Sequence, residues 1–231
     1  MIRRILPFLA VAALSGLAGY VLGRQGGVTA PAAEGGSNGG AAASTRDDEG
    51  DAAAARPEPE PEPEPEGRNP RWARPFEKPG VPNFHKVSDG LYRSAQPSAE
   101  GMRELKDLGV KTVVNLRQFH SDRDEIGETG LGYEHIYFNP FHPEDKEIVR
   151  FLQIVSRPER APVLVHCKHG ADRTGTVCAL YRVCVEGWSK EDAIEELKEG
   201  GYGHHESLFG NLITYIRKLD VEAIRKRAGL E

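Results

Sequence analysis

The spacing of apolar positions changes several times along the chain, and each change predicts an element. Residues 5–23 form an uncharged apolar run, and from 25 to about 69 regular apolar spacing disappears. Two short stretches, 84–87 and 91–93, flank the turn-forming Ser88-Asp89-Gly90 and read as strands. Ser98 can cap a helix whose apolar side is Met102, Leu105 and Leu108 and which stops at Gly109. The β-branched Thr112, Val113 and Val114 predict a buried strand over 111–116, and alternation predicts another over 133–138. Ile148, Phe151, Leu152 and Val155 recur at helical spacing within 144–156. Residues 162–166 are a continuous apolar strand, followed by a glycine-containing loop and a helix over about 173–186. Ser189 and Asp192 resemble a capping box for a helix to Lys198. Leu208, Leu212, Ile216 and Leu219 mark a last helix. This alternation predicts an α/β domain with a central, mostly parallel sheet of four to five strands flanked by helices.

Charge divides the chain in the same place. The net charge of −5 arises entirely before residue 68: ten acidic and two basic residues lie between Glu34 and Gly67, and Arg3, Arg4 and Arg24 precede them. A neutral domain behind an acidic stretch is a poor nucleic-acid binder, because phosphate-backbone affinity needs a basic surface. Residues 57–66 alternate Pro and Glu. Such a run predicts an extended, self-repelling spacer, and 25–69 as a whole cannot bury enough apolar surface to order itself. Residues 1–24 read as a signal anchor or a signal peptide: the run is just long enough to cross a bilayer, and Arg3 and Arg4 favour a cytoplasmic N-terminus. The domain, 70–231, is then expected outside the cytoplasm (in a periplasm if the cell is bacterial), anchored or released by cleavage near 30–33.

The chemistry is concentrated in His166-Cys167-Lys168-His169-Gly170-Ala171-Asp172-Arg173-Thr174-Gly175. A strand, a tight loop and a helix start follow one another here. That order aims backbone N–H groups and a helix dipole at one point, which suits a phosphate dianion. A cysteine there is favoured as thiolate, the reactive form. Arg173 offers a planar fork for two phosphate oxygens. Gly170 permits the curl, Thr174 can bond the sulfur, and His166 can orient the loop through the backbone. Cys178 and Cys184 are expected as small buried apolar residues, since three cysteines fit neither a disulfide framework nor a common zinc pattern.

The decapeptide resembles the HCx5R signature of the protein tyrosine and dual-specificity phosphatase superfamily. Residues 91–97, LYRSAQP, and 112–117, TVVNLR, are similar to companion motifs of its small bacterial and fungal members. The resemblance implies a cysteine-phosphatase fold, Cys167 as nucleophile and Arg173 as phosphate binder. It also implies a cradle of Lys168, His169, Gly170, Ala171, Asp172, Arg173 and Thr174, and no metal or cofactor.

The family's proton donor is usually an aspartate on the loop before the helix that precedes the catalytic strand. That position is Asn139 here, which cannot donate a proton usefully. Asp145 is the preferred substitute, with Glu144, His142 and Asp172 as alternatives. Arg93, Ser94, Gln96 and Arg117 are candidates for ordering the site, and His204 and His205 are expected as surface or capping residues. Ala171 and Asp172 add no positive charge, which favours a phosphoprotein or simple ester over a polyphosphorylated inositol. The expected partners are a phosphorylated protein or small phosphate ester, and a membrane through 1–24, for a monomeric chain. Two rivals are a non-catalytic phosphate-binding module and a sulfurtransferase of the rhodanese kind.

Overall fold

The structure is a computed structural model that describes residues 67–231. The expected membrane segment and residues 25–66 of the expected linker (25–69) lie outside the described residues, whereas Arg68 of that linker is held by the Gly200 and Ala73 carbonyls at 2.7 Å each. Among the described residues no helix is long and apolar enough to cross a membrane.

The strands are β1 (Arg74–Pro75), β2 (His85–Ser88), β3 (Leu91–Ser94), β4 (Thr112–Asn115), β5 (Gly132–His135) and β6 (Val163–His166). They form one six-stranded sheet in the order β1-β2-β3-β6-β4-β5. β3, β6, β4 and β5 run parallel, while β1 and β2 add an antiparallel edge. The strand beyond the expected number is β1, drawn from the lead-in before the domain. Its Pro75 suits an edge, where a missing N–H costs nothing.

Successive residues of one strand feed opposite faces. Leu91, Val114, Val163 and Val165 join the core on one side; Tyr92, Val113 and Leu164 join the core on the other. Helix α1 (Ala99–Asp107) covers the second face, capped as expected by the Ser98 hydroxyl, which accepts from the Gly101 N–H at 3.2 Å. The first face takes α3 (Asp145–Val155), α4 (Asp172–Cys184), α5 (Lys190–Glu199), α6 (Glu206–Lys218) and α7 (Val221–Ala228). A short α2 (Arg123–Ile126) follows β4.

The last helix expected over Leu208 to Leu219 is α6, and a further helix that was not expected, α7, follows it. The backbone departs from helical angles at Phe209, α6 ends at Lys218, and Asp220 caps α7 by accepting from Ala223 N–H at 3.1 Å. Leu208 is exposed rather than part of the core face. A buried ion pair ties the helical layer to the edge strands. Arg182 on α4 donates to Glu196 on α5 (2.9 and 3.1 Å) and to the Val87 carbonyl on β2.

The sheet's central strand matters most for the site. β6 is buried throughout, and its last residue, His166, lies level with Ser94 on β3 and Asn115 on β4. The loops leaving these three strand ends meet in one crevice, the usual ligand position of a parallel sheet.

Candidate active site

Cys167 leaves the end of β6, and α4 begins five residues later at Asp172. Three successive carbonyls of the loop between them are tied away from its centre. Lys168 O accepts from Gln96 N–H at 3.3 Å, His169 O from the Asn83 amide at 2.9 Å, and Gly170 O from the Arg93 guanidinium at 2.7 Å. In a trans peptide the N–H points opposite to its carbonyl. The N–H groups of His169, Gly170 and Ala171 therefore face the other way, into the hollow of the loop. Among the described residues none of these three donates to a protein acceptor.

Gly170 makes this curl sterically accessible. It sits at φ +71°, and a Cβ there would lie 2.6 Å from the backbone of Ser94 and Ala95. Gly175 serves packing instead: a Cβ would lie 2.2 Å from Leu197 on α5.

The supporting layer is polar and buried. Arg93 lies 3.5 Å over the Tyr202 ring, and Asn83 also donates to the Tyr202 carbonyl at 3.0 Å. His85 packs edge-on against the same ring. Burial, reinforced by the Arg93 cation, pushes the His85 imidazole from 6.5 down to about 4. Its folded value is depressed, so its contribution is complete above pH 6.5 and is lost as pH falls to about 4. The slope in that window is roughly 1.4 kcal/mol per pH unit. Urea unfolding across this window is expected to show a steeper acid decline for wild type than for His85→Gln; parallel curves would refute the assignment.

His166 does more than the expected backbone bond. Its Nδ1 lies 3.4 Å from the Cys167 carbonyl, but Nε2 lies 2.7 Å from the Asp122 carboxylate, with both side chains wholly buried. Asp122 also accepts from Gln96 (2.9 Å) and Asn115 (3.1 Å). Burial pushes the Asp122 carboxyl up, but the hydrogen bonds and charge of its neighbours outweigh burial and hold it below the ordinary range. His120, Asp122 and Glu125 present ligand atoms within 4.8 Å of one another. The Asp122 oxygens, however, are already taken by His166, Gln96 and Asn115, so this group reads as a brace for the loop.

Of the expected ordering residues, Arg93 and Gln96 reach the loop directly. Arg117 acts through Gln96, whose Oε1 it bonds at 3.0 Å, and Ser94 bonds only its neighbour's carbonyl. Asn83, Asp122 and Tyr202 carried no readable signal, because their roles depend on strand and loop neighbours remote in sequence.

Cys167 is buried, with 2% of its surface exposed. Two adjoining hollows meet at Arg173 and Pro140. One is lined by Arg117, Gln118, Phe119 and Lys168 beside them, with three cations and no carboxylate. The other adds His169, Asp172, His205, Leu208 and Phe209. A larger hollow of ≈ 610 Å³, lined by residues of 75–85, contains none of these groups. Arg173 donates to the Leu116 carbonyl at 3.3 Å. Among the described residues the buried Thr174 hydroxyl has no hydrogen-bond partner, so the expected bond to sulfur is not formed. Cys178 and Cys184 are free and buried, and burial pushes both thiols up to about 11.

The expected proton donors do not converge on the cleft. Asp145, at the start of α3, accepts from the Tyr215 hydroxyl (2.9 Å) and from Arg227 (3.3 Å), and lines neither hollow. Glu144 caps α3, pairs with Lys146 at 2.8 Å and is exposed. Asn139 closes a local turn by accepting from Phe141 N–H and His142 N–H, leaving His142 exposed. Asp172 does border the cleft, but its oxygens accept from His205 N–H and His205 Nδ1 (2.9 Å each), and His204 Nδ1 lies at 3.0 Å. Burial pushes the Asp172 carboxyl up, yet these histidines outweigh it and bring it from 3.8 down to about 2, so it holds no proton to give near neutrality. His205 is the N-cap of α6, as expected of a capping residue, whereas the His204 side chain is buried rather than on the surface; both face Asp172 of the loop.

Comparison with known proteins agrees in fold and in sequence. Residues 80–207 match the family model described as "DSP-PTPase phosphatase fused to NAD+ Kinase". The chain is 36% identical over 159 residues to the dual specificity protein phosphatase TpbA of Pseudomonas aeruginosa, covering 68% of this chain and 71% of that protein. A crystal structure of TpbA in complex with pTyr superposes with a TM-score of 0.63 at 35% identity, covering 71% of this chain and 99% of that one. The core catalytic domain of a PP-IP phosphatase from S. cerevisiae shares the fold, with a TM-score of 0.57 at 23% identity over 65% of this chain and 93% of that one.

Proposed function

The chain belongs to the dual-specificity and tyrosine phosphatase family, and from that premise we propose that Cys167 and Arg173 carry out its phosphate monoester hydrolysis through a phosphocysteine. The observation that supports this site most strongly is the outward tethering of three consecutive carbonyls. It leaves a run of free N–H donors in the loop that begins at Cys167, with Arg173 at the first turn of α4. Such preorganised donors stabilise the charge on equatorial oxygens during phosphoryl transfer without reorganising at the moment of reaction. Sulfur attacks phosphorus, the alcohol oxygen departs, and water then releases phosphate and restores the thiolate.

A phosphotyrosine side chain on a protein is the favoured substrate. Phe119, 97% exposed, stands beside Arg117 and Lys168, and exposed Phe141 and Leu208 flank the opposite hollow. These surfaces suit an aromatic ring and neighbouring peptide better than a polyanion. The three cations of the first hollow support a second reading, an inositol phosphate substrate. Acid-quenched turnover followed by peptide mass analysis tests the site, and one phosphoryl group on the peptide containing Cys167 is expected. Absence of that adduct during turnover, or marked preference for an inositol polyphosphate over a phosphotyrosine peptide, would overturn the respective claim.

The same proposal extends to the domain plan: a catalytic domain over 70–231, a linker over 25–69, and a signal anchor or signal peptide over 1–24. The uncharged run 5–23 supports a domain held outside the cytoplasm. Recovery of the intact full-length chain in the cytoplasmic fraction would count against it.

A further inference from the structure

We propose that His205, held by Asp172, is the group that gives a proton to the leaving oxygen and later takes one from the attacking water. The inference rests on the phosphatase reading above and supplies what residues 139–145 do not offer. Asp172 is the one carboxylate lining the two hollows at Arg173, and it accepts hydrogen bonds instead of carrying a proton.

The geometry orients the imidazole. Asp172 takes both the backbone N–H and the ring Nδ1 of His205, at 2.9 Å each. Two bonds to one carboxylate set the ring's position and place the proton on Nδ1. Nε2 lies on the opposite edge of the ring, away from Asp172, and among the described residues it meets no protein hydrogen-bond partner. The ring sits between His169 (centroids 5.8 Å apart) and Phe209 (6.5 Å), and it lines the hollow shared with Arg173. Its side chain is 49% exposed, so the second nitrogen can exchange protons with solvent.

The charges around it act in both directions. The Asp172 carboxylate favours the imidazolium. Arg173 and, when protonated, His169 and His204 oppose it, while Lys198 and Glu206 beside it pair with each other at 3.1 Å. A carboxylate-oriented imidazole whose second nitrogen meets no protein partner among the described residues is the arrangement that general acid–base catalysis needs.

The steps balance. The Cys167 sulfur forms a bond to phosphorus as the phosphorus–oxygen bond breaks. The Nε2 proton passes to that oxygen, leaving a neutral imidazole whose Nδ1–H still donates to Asp172. Water then attacks the phosphocysteine and gives a proton to Nε2. The sulfur–phosphorus bond breaks, and phosphate and thiolate are released with the imidazolium restored.

The test uses leaving groups of different basicity, because a proton donor matters most for a poor one. Wild type, His205→Gln and Asp172→Asn, as full chains, are assayed on phenyl phosphate and on 4-nitrophenyl phosphate over a pH series. Orthovanadate binding serves as a check that the loop is formed. For His205→Gln the expected loss in kcat is about 100-fold on phenyl phosphate and clearly smaller on the nitrophenyl ester. The alkaline limb of the pH–rate profile is lost as well. Asp172→Asn is expected to move that limb to lower pH. Equal losses on both esters with an unmoved limb, or no loss at all, would overturn the role of His205 while leaving the phosphatase reading intact. Wild type inactive on both esters would sink the phosphatase reading itself.

Discussion

Replacement of Cys167 by serine is expected to lower turnover by roughly 10⁴-fold or more, in line with loss of the nucleophile in other covalent enzymes. The substitution changes one buried atom and leaves every backbone donor of the loop in place. A hydroxyl at that position is far harder to ionise than a thiol, so attack on phosphorus fails, whereas oxyanion binding persists. The informative measurement is therefore a pair. Phosphate release from a phosphotyrosine peptide should vanish, and orthovanadate or phosphate should still bind within a few-fold of the wild-type affinity. A serine variant that kept more than about one per cent of turnover would place the nucleophile elsewhere.

Arg173→Lys should be nearly as damaging. An arginine that clamps the transferring phosphoryl group is worth about 10³- to 10⁵-fold in rate elsewhere, and a loss near 10³ is expected here. Charge is conserved in this substitution, so what is removed is the planar fork that meets two oxygens at once. Among the described residues the guanidinium makes one hydrogen bond, to the Leu116 carbonyl at 3.3 Å, and the residue is partly exposed. Stability should consequently change little, and the loss should appear in kcat more than in KM. A variant with near-normal kcat would show that Arg173 supplies only general positive potential, a role Lys168 and Arg117 could share.

The loop at Cys167 was legible in the sequence because its requirements are contiguous. A buried strand, a curl that only glycine permits at Gly170, and an arginine in the first helical turn must follow one another within ten residues, and no remote partner is needed to suggest them. The helices were legible to a similar degree, since Ser98 and Ser189 cap α1 and α5 through local bonds. The edge strand β1 was not, because Arg74 and Pro75 have no strand pattern of their own and pair only once β2 exists. Helix α7 was not expected, because only Ile224 and Ala228 of its eight residues are buried and they leave little apolar periodicity to read. Asp145 looked suited to donate a proton from its place at a helix start, but Tyr215 and Arg227, 70 and 82 residues further along the chain, claim its oxygens.

From its sequence alone, then, this protein was determined as an α/β phosphatase-like domain behind a charged, proline-rich stretch, with the ten-residue loop segment that carries the proposed nucleophile and anion fork marked out. Those properties follow from local periodicity and from chemistry packed into one short segment. Only the tertiary structure decided what holds the loop open and which side chains meet at Asp172. Asn83, Arg93, Gln96 and Asp122 reach it from other strand ends, and His205 arrives from beyond α5 to meet Asp172. Contacts of that kind depend on where a folded sheet and its helices bring distant residues together, a relation that no spacing along the chain encodes.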